Sequence, residues 1–386
     1  MTKKIIRSST VPISLNILLK GQLSFLNDHF EVIALSSKGE DLDEVERREK
    51  VKVVDVEISR QISVVKDFIS LVKLYKALKK EKPQIIHSIT PKAGLLSMLA
   101  GKMAGVPIRM HTFTGLIFPA RTGLMQKLLI KMDQLLCWAA TDIYPEGKGV
   151  KEDLEKFGIT KKKLKIIANG NIAGIDIAHY SPTHFDETHK NKLKNELKIK
   201  DSDFTFIFVG RLVGDKGINE MIEAYSSIRN KNTKLLLVGP FEDHLDPLKE
   251  KTLKKINDFD DIISVGFQKD VRPFFAISNA LVFPSYREGF PNVVMQAGAM
   301  ELPSIVSNIN GCNEIIIEGQ NGVIIPIKDH VKLAEAMKNM IYNKTEYEKM
   351  KHRSRKMIID RYEQKVVWNA LLAEYNLLLA QRKNYV

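Results

Sequence analysis

Short apolar runs alternate with longer amphipathic stretches from one end of this chain to the other, and few architectures accept that order. In the first half FEVIAL and VKVVDVEI precede VVKDFISLVKLYKALKKEKP, then QIIHSI, the small-residue stretch AGLLSMLAGKMAGVP, and IRMHTF. Apolar runs of this length read as strands covered on both faces, and the stretches between them carry helical periodicity. Strand and helix in strict succession specify a parallel sheet with crossover helices, an α/β fold. Pro83 and Pro107 each stand just ahead of a strand and close the helix before it. A segment dense in Asn, Gly, Ser and Pro, NGNIAGIDIAHYSPTHFDE, then separates a second series. Its strands are FTFIFVG, KLLLVG, IISVG, ALVFPS, SIVSN and NGVIIP, with helical stretches such as GINEMIEAYSSIR and LKEKTLKKIND between them. A chain of 386 residues exceeds the usual size of one core. The expectation is two Rossmann-like doubly wound domains, residues 1–180 and 181–365, facing one another across a cleft, with a helix over 366–386 packing back on the first.

The net charge of +13 is unevenly placed. Residues 1–180 hold 29 Lys and Arg against 19 Asp and Glu, and the remainder 30 against 27. Between residues 60 and 132, 13 basic residues stand against two acidic ones, Asp67 and Glu81. Such a field calls for a phosphate-rich partner: a lipid surface, a pyrophosphate or a nucleic acid. For single residues such as Lys76, Lys79 or Lys80 the wet face of a helix is an equal explanation. No recognised nucleic-acid module accompanies the charge, so no nucleic-acid partner is expected. The two cysteines, Cys137 and Cys312, lack metal-ligand spacing and read as reduced thiols of a cytoplasmic protein. The N-terminus has no apolar core followed by a cleavage site, and nowhere do 18 apolar residues run together, so neither a leader nor a membrane span is expected.

In a doubly wound sheet ligands bind beyond the carboxyl ends of the strands, and four segments of the second series fall there. In FVGRLVGDKGINE, Gly210, Arg211 and Lys216 suit a diphosphate, since Arg forks two oxygens and Lys adds a point charge. In VGFQKDV, Phe267 and Gln268 offer a ring and an amide to a nucleobase, unless Phe267 belongs to the core. LVGPFED turns at Gly239-Pro240. In PSYREGFPNVVMQAGAM a buried strand runs into Glu288 and then a helix starting at Pro291 or Asn292, whose first amides attract anions. In the first series His111 ends the strand IRMHTF, either facing the cleft to orient a sugar or phosphate or satisfied in the core. There is no G-x-G-x-x-G after the first strand, no Walker loop and no G-x-S-x-G elbow. The acidic pairs Asp41/Asp43 and Asp258/Asp260 lie in charged surface segments, so no metal site is expected.

GRLVGDKG, VGFQKDV and PSYREGFPNVVMQAGAMELPSIVSNINGCNEII together resemble the retaining glycosyltransferases of family 4, which have the GT-B fold. The resemblance spans nearly the whole chain, including HSITPKAGLLS, HTFTG and GIDIAHYSP, and is nearest to bacterial enzymes that build capsule, O-antigen or protein-linked glycans. It implies that the second domain binds a nucleotide sugar, UDP-linked, with Arg211 and Lys216 on the diphosphate. Glu288 with Gly289 and Phe290 would hold the sugar hydroxyls, and Pro291, Asn292 and Val293 would present the helix amides. The catalytic set so implied is Arg211, Lys216, Glu288 and His111. Relatives carry a second Glu for the ribose where this chain has Gln296, which keeps an acceptor but loses the charge-assisted bond. Relatives also place a His where Thr114 stands.

The resemblance further implies an acceptor site on the first domain at Lys92, His111, Thr114 and Gly115, and a polyprenyl-pyrophosphate-linked glycan as acceptor. No metal or other cofactor is expected. PARTGLMQKLLIKM and KLYKALKK mix basic and apolar residues, as a segment resting on the anionic inner face of the cytoplasmic membrane does. Two other readings remain at this point: a soluble transferase acting on a small acceptor, and a catalytically impaired homologue that binds nucleotide sugars.

Overall fold

In the computed structural model, residues 2–242 and 246–383 are described, and they form two units. The first contains the chain up to Gly174 together with the residues from Gln364 onward; the second is Ile175–Glu363. The expected boundaries at 180/181 and 365/366 therefore move to 174/175 and 363/364. The reason is local: the Ile175 amide donates to the carbonyl of Tyr362, the last residue of a helix Lys344–Tyr362, at 2.7 Å, so both segments already belong to the second unit there.

The first unit is built on a parallel sheet of β1 (Lys4–Ser8), β2 (Glu31–Ser36), β3 (Lys52–Asp55), β4 (Ile85–Ser88), β5 (Ile108–Phe113) and β6 (Asp142–Pro145), in the order β3-β2-β1-β4-β5-β6. Its register explains the unbroken apolar runs. Ile5, Val32 and Ile85 lie side by side and pack into one core, whereas Ile6, Ile33 and Ile86, one residue on, pack into the other. Both faces are covered, so neither parity of position can be polar. β1 and β6 are the strands that the apolar pattern does not reveal. Arg7 interrupts the first, and the second is the short, polar-ended DIYP.

Arg7 is tolerated because the C-terminal helix Gln364–Lys383 supplies a partner. Arg7 Nη1 donates to Gln22 Oε1 at 3.0 Å and to the Tyr375 hydroxyl at 2.9 Å. The same hydroxyl lies 2.7 Å from His87 Nδ1, while His87 Nε2 lies 2.7 Å from Thr112 Oγ1. Burial, and then the Arg7 charge, hold the His87 imidazole well below its usual pKa, so it is neutral. The helix expected over 366–386 thus begins at Gln364 and belongs to the first unit; residues 384–386 lie outside the described residues.

The second unit repeats the plan with β7 (Phe204–Val209), β8 (Thr233–Val238), β9 (Ile262–Ser264), β10 (Ala280–Phe283), β11 (Ser304–Ser307) and β12 (Gly322–Ile325). Their order, β12-β11-β10-β7-β8-β9, is the same doubly wound sequence. Each sheet reverses direction of build between its first and fourth strands, and that is where loops diverge and leave a crevice. In the second unit this point lies between β7 and β10.

Candidate active site

The loops leaving β7 and β10 are locked together by backbone. Gly217 has φ of +71°, and a Cβ there would sit 2.1 Å from the Pro284 carbonyl oxygen, so only glycine allows the approach. The Tyr286 amide donates to the Asp215 carbonyl at 2.9 Å. The outcome is that Lys216, after β7, and Glu288, after β10, meet at 2.5 Å between Nζ and Oε1, both largely buried. Ser285 Oγ donates to the same carboxylate oxygen at 3.0 Å. The pair is flanked by a second tie between the loops, Arg287 to Asp215 at 3.3 Å, and by Tyr286, whose hydroxyl bonds Glu220.

Glu288 leads through Gly289 and the buried Phe290 to Pro291, which caps the helix Asn292–Ala299 from an extended conformation. The helix therefore begins at Asn292, with Pro291 just outside it. The first amides of a helix have no acceptor within it and carry partial positive charge. Gln296 stands one turn in, half-buried. Behind the loop sits Gly311, at φ of +74°, where a Cβ would lie 2.6 Å from the Gly289 oxygen and 2.8 Å from both Phe290 Cα and Pro291 Cδ. The Cys312 thiol beside it is buried, and burial, then the Glu288 charge, push its pKa well up.

Arg211 does not join Lys216. It is exposed and pairs with Glu242 at 2.9 Å. Gly210 directly follows β7, with its amide on the Val238 carbonyl. Phe267 is 74% exposed, which removes the core alternative and leaves an open ring beyond β9. Gln268 turns its amide back to the Val265 carbonyl at 2.8 Å. Asp258 and Asp260 precede β9 and so lie at the amino end of the sheet, away from the crevice, and Asp41 is held by Asn16 at 2.6 Å.

The first-unit residues divide. His111 is a correction: it is fully buried, its Nδ1 is 2.8 Å from Ser88 Oγ, and its ring meets Phe113 edge-on at 4.5 Å. Burial depresses its pKa to about 3. The strand-end position is real, but the pleat turns this side chain under the helix Pro91–Ala104, where a Cβ on Gly94 would touch the ring. Thr114 Oγ1 donates to the Ile89 carbonyl at 3.0 Å, and Lys92 pairs with Asp67 at 2.6 Å. Gly115 and Lys92 line one cavity of about 370 Å3. Ser285 and Gly311 were not singled out by the sequence. Ser285 sits between motif residues, and Gly311 reaches the loop only through folding. Among the described residues no three His, Cys, Asp or Glu converge to hold a metal ion.

Two doubly wound units of the same strand order, with the Lys216–Glu288 pair at the switch point of the second, make the architecture of the GT-B glycosyltransferases. The crystal structure of Anabaena HepE in complex with UDP shares that fold, with a TM-score of 0.80 over 97% of this chain and 99% of that one at 17% identity. The family model Glycosyl transferases group 1 matches residues 189–357, and Glycosyltransferase Family 4 matches residues 19–171. The capsular polysaccharide biosynthesis glycosyltransferase CapM of Staphylococcus aureus is 30% identical over 94% of both chains. The Escherichia coli UDP-Gal:alpha-D-GlcNAc-diphosphoundecaprenol alpha-1,3-galactosyltransferase is 31% identical over 70% of both. This chain belongs to the group 1, family 4 glycosyltransferases, as its motifs led one to expect.

Proposed function

We propose that this glycosyltransferase moves a hexose or N-acetylhexosamine, with retention of configuration, from a UDP-linked donor to a glycan carried on a polyprenyl diphosphate. The observation that carries the reading is the meeting of Lys216, Glu288 and Ser285 beside the start of the helix Asn292–Ala299. The lysine and carboxylate are each other's partners. A nucleotide sugar inserted between them gives its diphosphate to Lys216 and its hydroxyls to Glu288, aided by the backbone of Gly289 and Phe290.

Cleavage of the bond between C1 and the diphosphate oxygen leaves an oxocarbenium-like sugar. The negative charge growing on the leaving oxygen is met by Lys216, by Arg211 once it leaves Glu242, and by the helix amides, an electrostatic role that dominates many barriers. No metal is needed where these cations neutralise the diphosphate. The acceptor hydroxyl attacks C1 on the face the diphosphate leaves, and its proton passes to the departing phosphate oxygen. No protein nucleophile enters this scheme.

The E. coli relative acts on a diphosphoundecaprenol-linked sugar, which supports the lipid-linked acceptor. Among the described residues no helix is long and apolar enough to cross a membrane. The first unit instead exposes Val64 (82%) and Phe68 (65%) on the helix Val64–Glu81, and Leu124 (85%) and Leu128 on the helix Gly123–Ala139. Exposed Lys66, Lys73, Lys127 and Lys131 stand among them, each contributing about 1 kcal/mol near an anionic bilayer. Peripheral binding follows, and flotation with phosphatidylserine vesicles at low salt checks it. The decisive experiment for the reaction screens nucleotide sugars by thermal shift and then measures transfer to a polyprenyl-diphosphate glycan. Transfer abolished by Glu288→Ala and Lys216→Ala but not by Gln296→Ala supports the reading. A donor panel that leaves stability unchanged, or transfer that survives Glu288→Ala, sinks it.

A further inference from the structure

The first unit holds a cavity of about 370 Å3 beside β5, within the range of ordinary small-molecule sites. Leu95, Phe113, Leu129 and Met132 line it together with the Asp133 carboxyl; its more exposed rim carries Arg60, Ile62, Arg121 and Met125. Among the described residues neither guanidinium makes an ion pair or a hydrogen bond; Arg121 is held only through its backbone amide, on the Phe118 carbonyl at 3.1 Å. Lys92, by contrast, is tied to Asp67 and to the Gln61 carbonyl, which fixes the loop that carries Arg60 and Ile62 against the helix Pro91–Ala104. A largely apolar pocket with two unpaired guanidinium groups on its rim is complementary to an apolar chain that ends in a polyvalent anion. Guanidinium pairs match phosphate oxygens in fork geometry. Next to Ile62 and Met125 in the sequence, the helices Val64–Glu81 and Gly123–Ala139 expose Val64, Val65, Leu124 and Leu128, apolar surface adjoining the residues of the rim.

We propose that this cavity seats the isoprenyl diphosphate of the acceptor, with the first units of the chain against Leu95, Phe113, Leu129 and Met132 and the diphosphate between Arg60 and Arg121. The assignment rests on the lipid-linked acceptor put forward above and adds where, and by which residues, that lipid is held.

Farnesyl diphosphate, monomeric and without vesicles, is the probe, and its binding to the full chain is measured by titration calorimetry. Saturable binding is expected, at least 10-fold tighter than that of inorganic diphosphate or of farnesol, and not displaced by UDP. Leu129→Trp, which fills the cavity, abolishes it, and Arg60→Gln with Arg121→Gln weakens it at least 10-fold, while the stabilisation by UDP stays unchanged. The arginines are exposed, so their variants fold even where the tryptophan is not accommodated. Displacement by UDP, equal affinity for inorganic diphosphate, or unchanged binding in the arginine variant overturns the proposal. The two readings fail separately. Lipid-linked acceptor glycosylated with unchanged KM by the arginine variant removes the cavity and leaves the function; farnesyl diphosphate bound as described without transfer to any lipid-linked glycan does the reverse.

Discussion

Gly311 offers the sharpest test of whether the Glu288–Asn292 loop forms the donor site. In Gly311→Ala the new methyl would stand 2.6 Å from the Gly289 oxygen and 2.8 Å from Phe290 Cα and Pro291 Cδ, where ordinary contact starts at 3.4 Å. The loop must retreat by roughly 0.6–0.8 Å, carrying Glu288 and the helix amides with it. Misplacing a binding constellation by ~1 Å costs on the order of 100-fold in rate. Stability also falls: about 1 kcal/mol for a non-glycine residue at positive φ, and about 1–3 kcal/mol for overpacking. Gly319→Ala is the control, because φ is +69° there and nothing lies within 4 Å of the added methyl. It shares the backbone penalty and lacks the collision. Differential scanning fluorimetry and transfer kinetics on both variants separate the effects. The control is expected to lose about 2–4 °C in Tm and keep its kcat/KM. Gly311→Ala is expected to lose more stability and about 100-fold in kcat/KM. Activity within threefold of wild type, with a Tm no lower than that of Gly319→Ala, would refute the role of the loop.

Other expectations follow from particular groups. Gln296→Glu restores a charge-assisted acceptor and tightens UDP by about fivefold in titration calorimetry; no change places the ribose elsewhere. Tyr375→Phe strips the hydroxyl shared by Arg7 and His87 and lowers unfolding free energy by about 1–3 kcal/mol in urea melts, with little effect on UDP binding. The Asp133 carboxyl lines the first-unit cavity, and burial raises its pKa to about 7 from 3.8. The folded state therefore holds a proton that the unfolded state releases, so its contribution falls as pH rises from about 4 to 7 and is level above. Asp133→Asn removes that loss. Its stability relative to wild type should rise across this window by about 1–2 kcal/mol, below the ~4 kcal/mol that a dry carboxyl would give.

The chain's own pattern determined the two parallel sheets, because apolar runs buried on both faces and helices of period 3.6 are local signatures. All six strands of the second unit were legible in this way, as were the strand ends where Arg211, Lys216 and Glu288 stand. In the first unit Arg7 hid β1, since a buried arginine reads as a surface residue until Tyr375, 368 positions away, is seen to receive it. Which charges meet was a matter for the tertiary structure. β10 returns to lie beside β7, and this brings Lys216 to Glu288 while Arg211 swings to Glu242. The pleat, not the motif, put His111 in the core. The fold likewise set Gly311 behind the loop and the free arginines on one cavity rim. A sequence records propensities along the chain; partners across it exist only once the order of strands has been chosen.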